Sequence, residues 1–338
     1  MFSLQDLLYD YPEELVAKEP HFPPRVLWAA SGRAPEEVSF DQLIERIPAG
    51  DVIVLNDTQV LKRRVFAQEL EILFLSSNPE KTEWEVLFPS KDLKVGAELP
   101  LLEGLQMVLL QKGRPQKVRV SQALTDDYFE RWAELPLPPY IQKARGERHN
   151  VESDQKWYQT AWAKKPGSLA APTASLHFKA EHLEKLKARG VQLEKLTLHV
   201  GLGTFLPLSP ENLARKELHE EWIEIPTATW QRLRTARKEG RKIWALGTTV
   251  TRSLEACALG HLQERGDRLL GTTKLFIQPG FEYQMVDRLM TNFHQPGSSL
   301  MALVMAFFGI QGTRENYRWI VERRFRLFSY GDFSIWLR

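Results

Sequence analysis

The 338-residue chain predicts an α/β fold that carries a separate antiparallel β module, and three observations support this. From about residue 176 onward, helical and strand-like periodicities alternate. Residues 62–142 instead show short apolar runs cut by turn-forming residues. A 43% hydrophobic fraction is enough for a sizeable core, and the length fits one large or two moderate domains.

In chain order, the β module comes first. Its expected strands are Glu69-Leu-Glu-Ile-Leu-Phe-Leu75, Trp84-Glu-Val-Leu-Phe88, Met107-Val-Leu-Leu110 and Lys117-Val-Arg-Val120, separated by Asn-Pro, Pro-Ser, Gly and Gly-Arg-Pro breakers. That texture points to antiparallel structure, a small barrel being the expected form. Leu135-Pro-Leu-Pro-Pro-Tyr140 should be a stiff extended return, because successive prolines hold the backbone near polyproline geometry. Residues 181–189 have helical spacing with basic residues late, and Gly190 stands at the stop. Residues 191–200 alternate as a strand and end at Gly201-Leu-Gly203. The unit repeats as a helix over 227–239, Gly240, a strand over 242–246, the tight loop Gly247-Thr-Thr249, and a helix over 250–262. Such alternation implies a parallel or mostly parallel sheet covered by helices.

Several function classes are excluded. No apolar run reaches the roughly 18 residues a membrane span needs, and the N-terminus lacks a basic segment followed by an apolar one, so a cytosolic protein without membrane contact is expected. The single Cys257 cannot form an internal disulfide and reads as a small buried residue on a helix. Gly201-Leu-Gly203 lacks the third glycine of a dinucleotide fingerprint, and no Gly-Lys-Ser/Thr loop or Gly-x-Ser-x-Gly elbow is present. Of the four histidines of most interest, His177, His199, His219 and His294, none pairs with another at zinc-binding spacing, and the lone cysteine adds no ligand cluster, so no metal is expected. A net charge of +2 is too small to announce nucleic acid, so RNA contact would have to come from local patches. Candidates are Lys62-Arg-Arg64, residues 143–148, residues 232–242, and Arg314, Arg318, Arg323, Arg324 and Arg326, each of which also reads as a solvated face.

Two polar-aromatic cassettes stand out: Gly167-Ser-Leu-Ala-Ala-Pro-Thr-Ala-Ser-Leu-His-Phe178 and Thr291-Asn-Phe-His-Gln-Pro-Gly-Ser-Ser-Leu-Met301. Each sets a histidine among hydroxyl or amide side chains and backbone-fixing Pro or Gly, a pattern more typical of sites than of cores. Loops after the carboxyl ends of α/β strands also collect sites, which selects Gly201-Leu-Gly203-Thr204, Gly247-Thr248-Thr249 and Asn292-Phe293-His294. Of these, the Gly247 turn opens a helix whose free amides favour an anion.

The cassettes resemble signature segments of the S-adenosylmethionine:tRNA ribosyltransferase-isomerase family. Further stretches match in the same order: Val54-Leu-Asn-Asp-Thr58, Leu135-Pro-Leu-Pro-Pro-Tyr-Ile141, Leu198-His-Val-Gly-Leu-Gly-Thr-Phe205, Leu246-Gly-Thr-Thr249, Phe276-Ile-Gln-Pro-Gly280 and Phe328-Ser-Tyr-Gly-Asp332. The resemblance implies a barrel-like α/β domain formed by residues 1–61 and 143–338, with a small antiparallel β-barrel domain inserted as residues 62–142. It also implies a reaction in which S-adenosylmethionine, a consumed substrate rather than a cofactor, gives up its ribose. The acceptor is 7-aminomethyl-7-deazaguanine at the wobble position of a tRNA with a GUN-type anticodon. The product is epoxyqueuosine-tRNA, with adenine and methionine released.

Such a reaction needs a base for the proton beside the sulfonium and an acid for departing adenine, and groups titrating near neutrality suit both. His177 and His294 are the expected catalytic histidines, with Asp57 and Asp332 orienting a hydroxyl or balancing the sulfonium charge. Phe178, Phe293 and Tyr330 are expected to stack on a base, and Ser168 and Thr173 to hold the ribose. Asn56, Gly201, Gly203, Thr204, Gly247, Thr248, Thr249 and Asn292 complete the expected substrate contacts, with the methionine carboxylate or a tRNA phosphate at the Gly247 turn. The chain departs from the family pattern at Ser175 for Gly, Gln59 for Arg and Glu220 for Ser, and lacks the usual Gly-Gly before Leu70-Glu-Ile-Leu73. These departures motivate one alternative, an RNA-binding paralogue without turnover; a small-molecule isomerase or transferase is a third reading, supported by fold analogy alone.

Overall fold

The computed structural model describes residues 2–201, 203 and 208–338. Its centre is a ten-stranded sheet whose four inner strands, Gln192–His199, Val52–Asn56, Ile243–Leu246 and Arg288–Asn292, run parallel to one another. Every residue of Val52–Asn56 and Ile243–Leu246 is buried, as strands covered on both faces require. Alternation then sends Val52, Val54, Ile243 and Ala245 into one apolar cluster and Ile53, Leu55, Trp244 and Leu246 into another on the opposite face. Phe333–Leu337 pairs antiparallel with Arg288–Asn292 and parallel with Val26–Ala30, so the two ends of the chain close one side of the sheet.

The sheet is mixed rather than mostly parallel. Among the described residues it has four parallel and five antiparallel ladders. The excess comes from Glu217–Pro226, Leu262–Arg265 and Arg268–Leu275, an antiparallel arm that the sequence reading did not foresee. Sequence periodicity predicts a helix that runs on to Leu262. Instead the helix Thr248–Ala258 ends before Gly260, whose φ of +82° turns the chain into the arm.

The helices Ala180–Ala188 and Thr227–Lys238 lie where periodicity placed them. The proline-rich return is only partly extended. Pro139 takes the first position of the helix Pro139–Arg145, where its missing N–H costs no hydrogen bond, so Tyr140 is helical.

The β runs form a seven-stranded antiparallel sheet around Val65, Ile72, Phe74, Trp84, Val86, Leu109, Val118 and Phe129. Its order begins at Ala133–Glu134 and ends at Glu98–Pro100, so hydrogen bonding leaves it open rather than closed. Arg64–Ala67 pairs with Ala133–Glu134, bringing the entry and exit of this segment together. Nearby, Thr58–Val60 runs parallel to Lys165–Ser168.

The Lys62-Arg-Arg64 cluster is not a free basic patch. Arg63 is buried with its guanidinium 4.1 Å from the Phe129 ring centre and 3.1 Å from Asp126, and buried Arg64 meets Glu134 at 2.7 Å. Among the described residues no helix is long and apolar enough to cross a membrane. The same residues contain no cluster of metal-ligating side chains.

Candidate functional site

A cavity of about 430 Å³ opens at the carboxyl ends of the inner strands. It is walled by Ala170 to Ala174 of the first cassette and Thr291 to Leu300 of the second, with Gly247, Thr248 and Thr249 between them. Val200 and Gly203 add the end of a third strand, and Pro138, Pro139 and Tyr140 add the return segment. The loops selected by their position after strands therefore share one cleft.

Hydrogen bonds between distant segments fix this wall. Asn56, fully buried, accepts from the amides of Thr58 and Leu198 at 3.1 Å each and donates to the Leu198 carbonyl at 3.0 Å and Thr249 Oγ1 at 3.3 Å. Its polar side chain thus ties two strand ends to the turn at Gly247. Ser168 Oγ accepts from the Val200 amide at 2.9 Å and donates to the Ala170 carbonyl at 2.8 Å, seating the first cassette against the strand Gln192–His199.

The two cassettes meet at Asn292. Thr173 Oγ1 donates to Asn292 Oδ1 at 3.0 Å, and Asn292 Nδ2 lies 2.8 Å from His177 Nε2. An amide nitrogen can only donate, so His177 Nε2 accepts and its ring proton sits on Nδ1. Burial, with Arg326 as a smaller cause, pushes the His177 pKa down to about 3, so the ring is neutral. His294 is equally desolvated, also to about 3. Its Nε2 is 2.9 Å from Thr291 Oγ1, its amide donates to the Tyr317 hydroxyl at 3.0 Å, and its carbonyl accepts from the Tyr9 hydroxyl at 2.7 Å.

Of the residues expected to act, Thr173, Gly203, Gly247, Thr248, Thr249, Asn292, Phe293 and His294 line the cavity. His177 does not; it stands behind Asn292. Asp57 accepts from Thr197 Oγ1 at 2.6 Å, away from the cavity lining. Asp332 accepts from the amides of Arg25 and Arg326 at 3.0 and 2.8 Å, linking the loop before the last strand to the N-terminal segment. Tyr330 is buried and donates to Asp154 at 3.1 Å, and burial drives its pKa far above the usual tyrosine value. Phe178 packs on Phe40 and Phe333 in the core. Asn56, Ser168 and Gly201 hold backbone or neighbouring side chains outside the lining, Gly201 through its amide to Glu221 at 3.3 Å. Thr204 lies outside the described residues.

The profile of the family described as "Queuosine biosynthesis protein" matches residues 4–335. This chain belongs to that family. It is 40% identical over 336 residues to the S-adenosylmethionine:tRNA ribosyltransferase-isomerase of Thermotoga maritima, covering 96% of each chain. Identity to the protein of the same name from Burkholderia orbicola is 38%, over 98% of this chain and 96% of the relative. The crystal structure of the S-adenosylmethionine tRNA ribosyltransferase from Thermotoga maritima aligns with a TM-score of 0.56 at 32% identity, covering 98% of this chain and all of the other.

In this queuosine family member the cavity is also lined by residues to which the sequence alone assigned no site role. Tyr140, whose hydroxyl bonds Ser329 and whose pKa is pushed up to about 12 by burial, lines it beside Phe328. Tyr158, Glu221 and Arg252 line it as well, together with His219, one of the four histidines of interest in the sequence, and Gln295 of the second cassette. For Arg252 a signal existed: it lies four residues after Thr248, hence on the same helical face as the turn. Glu221 comes from the unforeseen antiparallel arm, so no local pattern marked it.

Proposed function

We infer that this protein is an S-adenosylmethionine:tRNA ribosyltransferase-isomerase. It transfers and isomerises the ribosyl group of S-adenosylmethionine onto 7-aminomethyl-7-deazaguanine at the wobble position of a GUN-type anticodon, releasing adenine and methionine. The observation that carries this reading is the cleft in which both cassettes meet through Thr173 and Asn292. S-adenosylmethionine is consumed, and the reaction belongs in the cytosol with its tRNA. The architecture we propose is a barrel-like α/β domain of residues 1–61 and 143–338 with an inserted domain of residues 62–142 built on the open, seven-stranded antiparallel sheet.

His294 is the proposed proton acceptor for the carbon beside the sulfonium. Its low pKa reflects the cost of creating a charge on a ring buried away from water. With a sulfonium bound, proton transfer to His294 relocates a positive charge already present and creates no new one. His177 is assigned a positioning role, holding the Asn292 amide so that Oδ1 and the Thr173 hydroxyl are fixed at the cavity wall. Tyr140 and Phe328 replace Phe178 and Tyr330 as the aromatic faces for a nucleobase. The test is to mix the protein with S-adenosylmethionine and tRNA bearing the aminomethyl-deazaguanine and follow free adenine by chromatography. Release that requires the tRNA is expected; release without it, or none with it, contradicts the assignment.

A further inference from the structure

Arg252 and Glu221 form a buried ion pair on the cavity wall, 9% and 5% exposed at their side chains. Arg252 uses Nη1 for Glu221 and Nε for the Leu275 carbonyl at 3.1 Å, while its buried Nη2 has no partner among the described residues. A guanidinium donor kept from water without an acceptor is poised for a ligand oxygen. The same wall carries the start of the 11-residue helix Thr248–Ala258. Gly247, at a φ of +99°, has no side chain to cap it, so the first amides of that helix have neither an intrahelical acceptor nor a cap.

We propose that Arg252, Glu221 and this helix start bind the amino-acid end of S-adenosylmethionine, and the proposal rests on the function inferred above. The carboxylate takes Arg252 Nη2 and the amides at the helix start, and the ammonium takes Glu221. The charge pattern favours a zwitterion over a phosphate. Glu221 cancels the charge of Arg252, which would weaken a site built for a dianion and completes one built for adjacent opposite charges. Glu221 is itself held by the Gly201 amide at 3.3 Å, so the loop after the strand Gln192–His199 helps set the pair.

Equilibrium binding without tRNA tests this with three probes: S-adenosylmethionine, its decarboxylated analogue S-adenosyl-3-methylthiopropylamine, and inorganic phosphate as competitor. The wild-type protein is expected to bind the decarboxylated analogue about 10- to 100-fold more weakly, the range for hydrogen bonds to a charged group. Arg252→Ala should lose the same factor for S-adenosylmethionine and leave the analogue's affinity unchanged, with Arg252→Lys recovering part of the loss. Because the first comparison needs no variant, a folding defect in Arg252→Ala cannot mask the answer. Equal affinity of the wild-type protein for both sulfonium compounds, or displacement of either by phosphate at the Arg252 site, overturns the proposal while adenine release stands. If the wild-type protein binds no S-adenosylmethionine, this assignment falls, whereas the inferred function is judged separately by tRNA-dependent adenine release.

Discussion

His177 and His294 share burial, neutrality and a pKa near 3, yet only His294 borders the cavity. His177 lies one layer back, its Nε2 covered by the Asn292 amide at 2.8 Å. The difference teaches that two cassettes of similar composition are placed differently, and in the mechanism proposed above they divide the work: the second presents a ring to the cavity, and the first orients the amide beside it. Burial alone does not separate them, since both rings are desolvated to the same degree. What separates them is the residue standing between ring and cavity.

The largest expected effect is on chemistry. His294→Ala should lower turnover by about 10²- to 10⁴-fold, the range for loss of a positioned acid or base, with little change in S-adenosylmethionine affinity. Single-turnover adenine release against equilibrium binding measures the two separately. His177→Gln keeps a hydrogen-bond acceptor for Asn292 Nδ2 and should stay within about tenfold of wild type, whereas His177→Ala strands that donor and destabilises the fold by about 1–3 kcal/mol. Urea unfolding of the pair distinguishes an orienting contact from a chemical one.

The pH dependence follows from the same two rings. Above pH 6.5 both are neutral in the folded and unfolded chains and contribute no slope. Between about 6.5 and 3 the unfolded chain takes up protons that the folded chain refuses, so stability falls as pH falls, by about 1.4 kcal/mol per pH unit for each histidine. In a urea series from pH 7 to 5, His177→Gln should show a slope shallower by that amount; an unchanged slope would mean His177 charges freely in the folded protein. The smallest effect belongs to Thr173→Val, which removes one neutral hydrogen bond to Asn292 and should cost about 0.5–1.5 kcal/mol, seen as a roughly twofold to tenfold loss in kcat/KM.

Much of the parallel centre was legible because its signals are local. Gly190 and Gly240 mark helix ends at φ of +82° and +78°, and the apolar runs of Val52–Asn56 and Ile243–Leu246 mark doubly covered strands. The antiparallel arm was not legible: Glu217–Pro226 carries charged residues on its exposed side and is held by ladders to a strand roughly fifty residues away. Site residues divide in the same way. Thr173, Gly247, Asn292 and His294 belong to contiguous loops whose composition announced them. Asp57, Asp332, Tyr330, Ser168 and Phe178 have the right chemistry, but each spends its polar or aromatic face on a partner within the protein. Only tertiary contacts reveal that, just as only they bring Glu221 to Arg252.

The division of labour between the two histidines is tested most directly by single-turnover adenine release from His294→Ala and His177→Gln, assayed side by side with the aminomethyl-deazaguanine tRNA. The account predicts a loss of at least about 100-fold for the first and no more than about tenfold for the second. The reverse order, with His177→Gln inactive and His294→Ala near wild type, would contradict it.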